Sequence, residues 1–300
     1  MQILITGGLG FIGAWTARTL LAQGHRVRVF DQQTDRTLFD AIVGERAGEA
    51  ELRQGDIVDH AAVDAAVDGR DAVVHLAAVL IPTARKDPLL GARINVLGTL
   101  HVFEAAKKYG LRGIAYASSA AVFGPDDGVH PYPHTHYGAY KLCNEGTARA
   151  YWQDAGIRSV GLRPATVYGP GREIGVTADP TLAMRAAAEG RSFTMRFTGP
   201  TGMDYVEDVA AIFARAATEA PEGAFAFSLQ GQLATMDEVL AAIRAEIPAA
   251  DVHADGPTLP FAAEIDEAPL HAQFRGLRRT PLEAGTRATI AFYRRIAAAK

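Results

Sequence analysis

Three side chains near the middle of this 300-residue chain have the types and spacing needed to move a proton. Tyr137 and Lys141 stand four residues apart at the start of a helical pattern, which puts them on one face, a single turn apart. A tyrosine of ordinary pKa near 10 must drop by about three units, roughly 4 kcal/mol, to serve as a base at neutral pH. An ammonium about 4 Å away at an effective dielectric of about 20 supplies energy of that order, so Lys141 is sufficient. Ser119 follows the strand-like run Gly113 to Ala117 and is placed to orient a substrate oxygen at the carboxyl edge of a sheet.

The first strand-like run, Gln2 to Thr6, passes directly into Thr6-Gly7-Gly8-Leu9-Gly10-Phe11-Ile12-Gly13 and then into a helical pattern. Gly7, Gly10 and Gly13 let the backbone turn sharply, approach a pyrophosphate and pack the helix on the strand. Free N–H groups at the helix start, where Phe11 and Ile12 stand, hold the anion. Asp31, at the end of the second strand, can accept both ribose hydroxyls of an adenosine and repels a 2′-phosphate. NAD is therefore favoured over NADP, with Arg36 the one residue that could soften the preference by folding back.

These residues need a scaffold, and the apolar patterning supplies one. Short strand-like runs at Ile3 to Thr6, Arg26 to Phe30, Ala50 to Gln54, Ala72 to Leu76, Gly113 to Ala117 and Arg158 to Leu162 alternate with helical patterns such as Phe11 to Leu21 and Val96 to Ala106. Gly24, Gly110 and Gly156 stand where left-handed helix ends belong. Such alternation predicts an α/β Rossmann fold, a doubly wound parallel sheet covered by helices on both faces. Turn residues crowd the chain after about Arg163, so we divide it into a cofactor domain, 1–165, and a smaller substrate lobe, 166–300. The strand-like run Ala224 to Leu229 is expected to return to the first sheet, Thr235 to cap a helix jointly with Glu238, and Leu282 to Ile296 to form a last helix.

Composition narrows the function. Thirty basic against 34 acidic residues, a net charge of −4, give no electrostatic footprint for nucleic acid or an anionic membrane. A single cysteine, Cys143, permits neither an internal disulfide nor a cysteine-rich zinc site. No run of about eighteen apolar residues spans a bilayer, and no leader precedes the first strand, so a cytoplasmic location is expected.

In order along the chain, TGGLGFIG (6–13), GDIVD (55–59), HLAA (75–78), NVLGT (95–99), SSAAVFG (118–124), YGAYK (137–141), RPATVYGPG (163–171), DYVEDVA (204–210) and TPLEAGTRATIAFYR (280–294) resemble the extended short-chain dehydrogenase/reductases, in their NAD-dependent epimerase/dehydratase branch. The resemblance implies that Tyr137 is the catalytic acid/base, that Lys141 lowers its pKa and holds the nicotinamide ribose, and that Ser119 bonds the reacting oxygen. It implies too that Asp56 and Ile57 flank the adenine, that Leu76, Ala77 and Ala78 line the path to the nicotinamide, and that Pro164 joins the cofactor contacts. Family members usually pair as homodimers through the helices represented here by 95–108 and 137–154.

Departures from the family pattern bear on the reaction. Where dehydratases carry an Asp-Glu pair after the Ser/Thr, this chain has Ala120 and Ala121, so elimination lacks its proton carriers. Met203 stands where nucleotide-sugar enzymes usually grip a diphosphate with arginine, Thr166 replaces a frequent asparagine, and Val79-Leu80-Ile81-Pro82 forms an apolar wall. These features favour NAD-linked oxidation of a small hydroxylated substrate such as a sugar, lactone or sugar acid, with Leu80, Ser119, Ala120 and Thr166 beside it and Arg172 available to a carboxylate. Two rivals stand beside this reading: an epimerase that retains its cofactor, and an NAD-sensing protein that has lost the chemistry. His130, His134 and His136 belong to a proline-rich loop that we read as covering the substrate, not as a metal site. Trp15 and Trp152 are read as packing residues and Cys143 as a small helix residue, so no metal is expected.

Overall fold

Residues 1–298 are described by the computed structural model. Its strands are β1 (Gln2–Thr6), β2 (Arg26–Asp31), β3 (Glu51–Gln54), β4 (Ala72–His75), β5 (Gly113–Ala117), β6 (Ser159–Pro164), β7 (Thr166–Tyr168), β8 (Phe193–Met195), β9 (Pro200–Tyr205), β10 (Ala224–Leu229), β11 (Gln232–Thr235) and β12 (Val252–Ala254). Seven of them make one sheet in the order β10-β6-β5-β4-β1-β2-β3, every neighbouring pair parallel. The inner strands are apolar without a break because helices cover both faces: Ile3, Leu4 and Ile5 are all fully buried, as are Val73 and Val74. The strand order reverses between β1 and β4, and a crevice opens at such a point beyond the carboxyl ends of the strands.

Local signals account for several helix ends. Gly110 and Gly156 close the helices Gly98–Tyr109 and His136–Ala155 in the left-handed conformation, at φ of 61° and 65°. Thr235 and Glu238 form a reciprocal capping box at the start of Met236–Glu246. The helical pattern read from Val96 begins earlier, because Pro88–Ala92 passes through a π-helical turn, Arg93–Leu97, into Gly98–Tyr109. Asn95 explains the widened turn. Its side chain exchanges two hydrogen bonds with the Val79 backbone, at 2.9 and 3.0 Å, and its carbonyl accepts from Thr99 and Asn144.

After β6 the chain builds a smaller layer over the carboxyl edge of the sheet. Strands β11, β9 and β7 form one small sheet and β12 and β8 another, around a second core that includes Met184, Met195, Met203, Phe261 and Ile290. The run Ala224–Leu229 leaves this layer and pairs parallel with β6 as the outermost strand of the main sheet.

Candidate active site

The turn after β1 is shaped by its glycines. Gly7 has φ +68°, and a Cβ there would meet the Ala77 nitrogen at 2.8 Å, while one on Gly13 would meet the Gly7 carbonyl at 2.5 Å. A Cβ on Gly10 would touch only the Gly7 carbonyl, at 3.2 Å, so this glycine keeps its outer side open towards a cavity of about 1110 Å³. Gly7, Gly10, Phe11, Ile12 and Gly13 all border that cavity, at the start of helix Phe11–Ala22. An open glycine backbone at a helix N-terminus fits a pyrophosphate. Asp31 accepts from the N–H groups of Leu9 at 3.1 Å and Gln33 at 3.0 Å, which fixes its carboxylate beside the turn. Arg36 is held by Asp40 at 3.0 Å and the Ala47 carbonyl at 2.8 Å, away from Asp31.

The same cavity reaches Ser119, Tyr137 and Lys141, passing Leu76, Ala78, Leu80 and Pro164. Thr135 caps helix His136–Ala155 by accepting from the Gly138 N–H at 3.0 Å, which sets Tyr137 in the first turn. Gly138 lets that turn press against the Ala121 carbonyl, where any Cβ would collide, and so brings the segment bearing Ser119 up to the phenol.

Lys141 behaves differently from expectation. Its Nζ donates to the Ala117 carbonyl at 2.6 Å and lies 5.5 Å from the centre of the Tyr137 ring. Burial lowers the ammonium's own pKa to about 8. The Tyr137 pKa is raised, not lowered: burial pushes it up, opposed by the positive charge of Arg172 and by a hydrogen bond with Ser119. Helical spacing gave Lys141 the correct face, but one of its three N–H donors is held by the end of β5, and the cation that opposes burial of the phenol, Arg172, comes from another segment.

That cation, Arg172, lies with its guanidinium 5.7 Å above the Phe11 ring centre and borders the cavity. Its loop is tied to the glycine-turn helix by a buried hydrogen bond of 2.9 Å from the Trp15 indole to the Pro170 carbonyl. Trp15 therefore does more than pack, which its sequence context did not signal.

Several expected contacts are not on the cavity wall. Ala120 is buried, while its neighbours Ser119 and Ala121 border the cavity. Thr166 is likewise turned away and shares a hydrogen bond of 2.9 Å with Thr201, leaving Ala165 and Val167 on the wall. Ala77 packs behind Gly7. Asp56 caps its own turn by accepting from the Val58 N–H at 3.0 Å, and Ile57 is buried against Gly98. The histidine loop does not cover the cavity either: His130 pairs with Asp127, and His136 stacks on Tyr140. Among the described residues no three His, Cys, Asp or Glu side chains gather as a metal site.

Two buried polar networks brace the site. Glu145, one turn beyond Lys141, accepts from Ser118 at 2.6 Å and from both ends of the Arg163 fork at 2.7 and 2.6 Å. Its four-residue spacing from Lys141 was the available sequence signal. At the end of β4, His75 bridges Thr6 at 2.7 Å and Thr99 at 3.0 Å, and burial lowers its pKa to about 3, so the ring is neutral.

Comparison with known proteins agrees with this geometry. Residues 3–226 match the family described as the NAD dependent epimerase/dehydratase family. The chain is 30% identical over 238 residues to a UDP-glucose 4-epimerase of Mycolicibacterium smegmatis, covering 74% of this chain and 75% of that one. It is 33% identical over 192 residues to 3 beta-hydroxysteroid dehydrogenase type 7 of Homo sapiens, covering 57% of this chain and 51% of that one. The crystal structure of the Thermus thermophilus UDP-glucose 4-epimerase in complex with NAD superposes with a TM-score of 0.85 at 26% identity, covering 98% of this chain and 99% of that one. The chain thus belongs to the NAD dependent epimerase/dehydratase family, in the extended short-chain dehydrogenase/reductases, and is an NAD-dependent enzyme.

Proposed function

We propose that this enzyme interconverts a secondary alcohol and its carbonyl in a small hydroxylated substrate such as a sugar, lactone or sugar acid. The observation that carries this reading is the meeting of Ser119, Tyr137 and Lys141 on one cavity wall with the glycine turn. Positions that would serve elimination or grip a diphosphate are apolar and buried: Ala120, Ala121 and Met203.

Bound NAD supplies the acceptor for the hydrogen and electron pair that leave the alcohol carbon. Tyr137, as phenolate, takes the hydroxyl proton, and as phenol returns it in the reverse direction. Ser119 donates to the substrate oxygen and keeps it within reach of Tyr137. Arg172 favours the phenolate against the cost of burial, and Lys141 adds a positive charge 5.5 Å from the ring centre. Gly7, Gly10, Phe11, Ile12, Gly13 and Asp31 serve the phosphates and ribose, with Leu76, Ala78 and Pro164 along the path to the nicotinamide, while Leu80 and Arg172 face the substrate.

In this reading residues 1–165 carry the cofactor and 166–300 complete the substrate side. The enzyme works in the cytoplasm as a homodimer joined through helices in 95–108 and 137–154. Exposed Leu97 supports that face, and light scattering should show a dimer that L97E dissociates; a monomeric wild type would remove the interface.

Epimerisation is the second reading, favoured by the M. smegmatis relative's name. It requires retained cofactor and no net reduced nicotinamide. Denaturing the purified protein and assaying released NAD, alongside turnover with added NAD, separates the two. Turnover that accumulates no NADH and needs no added NAD would overturn the dehydrogenase reading.

A further inference from the structure

Three strongly basic side chains border the cavity, and two are engaged: Lys141 with the Ala117 carbonyl, Arg185 with Glu173 and Glu189. Arg172 is different. Its Nη2 donates to Thr177 Oγ1 at 3.2 Å, its Nε is shielded from solvent without any hydrogen-bond partner, and among the described residues it forms no ion pair. Leaving a desolvated guanidinium donor unpaired is costly, and a planar fork with free donors is matched by a carboxylate.

The fold holds Arg172 in this state. Its loop is fixed by the bond from Trp15 to the Pro170 carbonyl at 2.9 Å, by the Gly171 N–H to the Tyr293 hydroxyl at 3.1 Å and by the Gly169 N–H to Thr181 at 3.1 Å. Gly175, at φ +113°, lets the chain close over the guanidinium: a Cβ there would meet Nη2 at 3.0 Å and Leu80 at 3.1 Å. The side chain is confined between Phe11, Leu80 and Thr177, with its charge felt at Tyr137.

We propose that Arg172 receives a carboxylate of the substrate, so that the enzyme selects hydroxy acids, sugar acids among them, over neutral sugars, polyols and lactones. This rests on the reading of the cavity as the site of alcohol–carbonyl exchange. The other anion within reach, the cofactor pyrophosphate, is already served by the N–H groups of the glycine turn. The orphaned donor lies between Phe11 of the glycine turn and Leu80 and Thr177, with its charge felt at Tyr137, so the experiment is chosen to separate the two anions.

The test is binding to the enzyme–NADH complex, which needs no turnover. Calorimetric titration compares matched acids and neutral compounds, D-gluconate against D-glucitol, D-glucuronate against D-glucose, and D-glycerate against glycerol, on wild type, R172M and R172K. At least one acid should bind the wild type about ten-fold more tightly than its neutral partner. R172M should erase that preference while NADH affinity stays within about two-fold, and R172K should keep part of it. The absence of any acid preference in the wild type would overturn the proposal. So would an R172M enzyme that keeps the preference but loses about ten-fold in NADH affinity, which would assign Arg172 to the pyrophosphate. R172K serves as the folded comparison if R172M proves unstable. Either failure leaves alcohol oxidation itself intact, because that reading is tested through Tyr137.

Discussion

The Lys141 ammonium donates to the Ala117 carbonyl at 2.6 Å, and this bond fixes the cation 5.5 Å from the Tyr137 ring centre. It anchors the helix bearing Tyr137 to the end of β5, just before Ser118 and Ser119. The charge that opposes burial of the phenol comes from Arg172 across the cavity, while Lys141 stands beside the ring on the same helix.

Removing either charge should move the pH dependence of oxidation. In the proposed reaction Tyr137 acts as a phenolate, and burial raises its pKa, so kcat/KM for alcohol oxidation should climb with pH. K141M should lower kcat/KM by about 100-fold at neutral pH and shift the rising limb to higher pH. R172M should shift the limb in the same direction. Rate profiles between pH 6 and pH 10, on the order of the tyrosine range, measure this; an unmoved limb in K141M would assign its role to binding alone.

Trp15 links the cofactor turn to the loop that carries Arg172. W15F keeps an aromatic ring, though a smaller one, and leaves the buried Pro170 carbonyl without its donor. Denaturant unfolding should show a loss of about 1–3 kcal/mol, and substrate KM should rise more than the KM for NAD. Equal effects on both would mean that the bond stabilises the chain without positioning Arg172.

Asp204 and His75 pull stability in opposite directions as pH changes. Asp204 is buried, accepts from the Ala165 N–H at 3.0 Å, and burial raises its pKa to about 7. Its contribution is fully present below about pH 4, where the unfolded carboxyl also protonates, and is lost as pH rises towards 7. His75, lowered to about 3, contributes above about pH 6.5 and loses that contribution as pH falls. Each slope is about 1.4 kcal/mol per pH unit, so the two nearly cancel between pH 4 and pH 6.5. D204N removes one slope. Its stability relative to wild type should rise by roughly 2 kcal/mol from pH 5 to pH 7 in urea unfolding, and a pH-independent difference would contradict the assignment.

The sheet was readable because its inner strands are apolar on both faces and stand between recognisable turns, as in Ile3–Thr6 and Ala72–His75. The side on which Tyr137 and Lys141 meet was readable from helical spacing. Facing was harder wherever one residue decides it. In extended backbone, neighbours point to opposite sides, and the partners lie far along the chain: Thr201 turns Thr166 inward, so Ala165 and Val167 border the cavity instead. Ser119 and Ala121 also flank a buried Ala120, there where the chain enters the short helix Ala120–Val122. Non-local bonds such as Lys141 to Ala117 and Trp15 to Pro170 leave no local pattern, which is why the surroundings of Arg172 emerged only in three dimensions.

The central claim is proton exchange by Tyr137, and the direct measurement is reduced-nicotinamide absorbance with added NAD and a panel of hydroxy acids, sugars, lactones and polyols. At least one compound should yield NADH in proportion to its own consumption. Y137F should lower kcat by about 100-fold or more while NAD affinity is unchanged. Undiminished NADH production by Y137F would contradict the account.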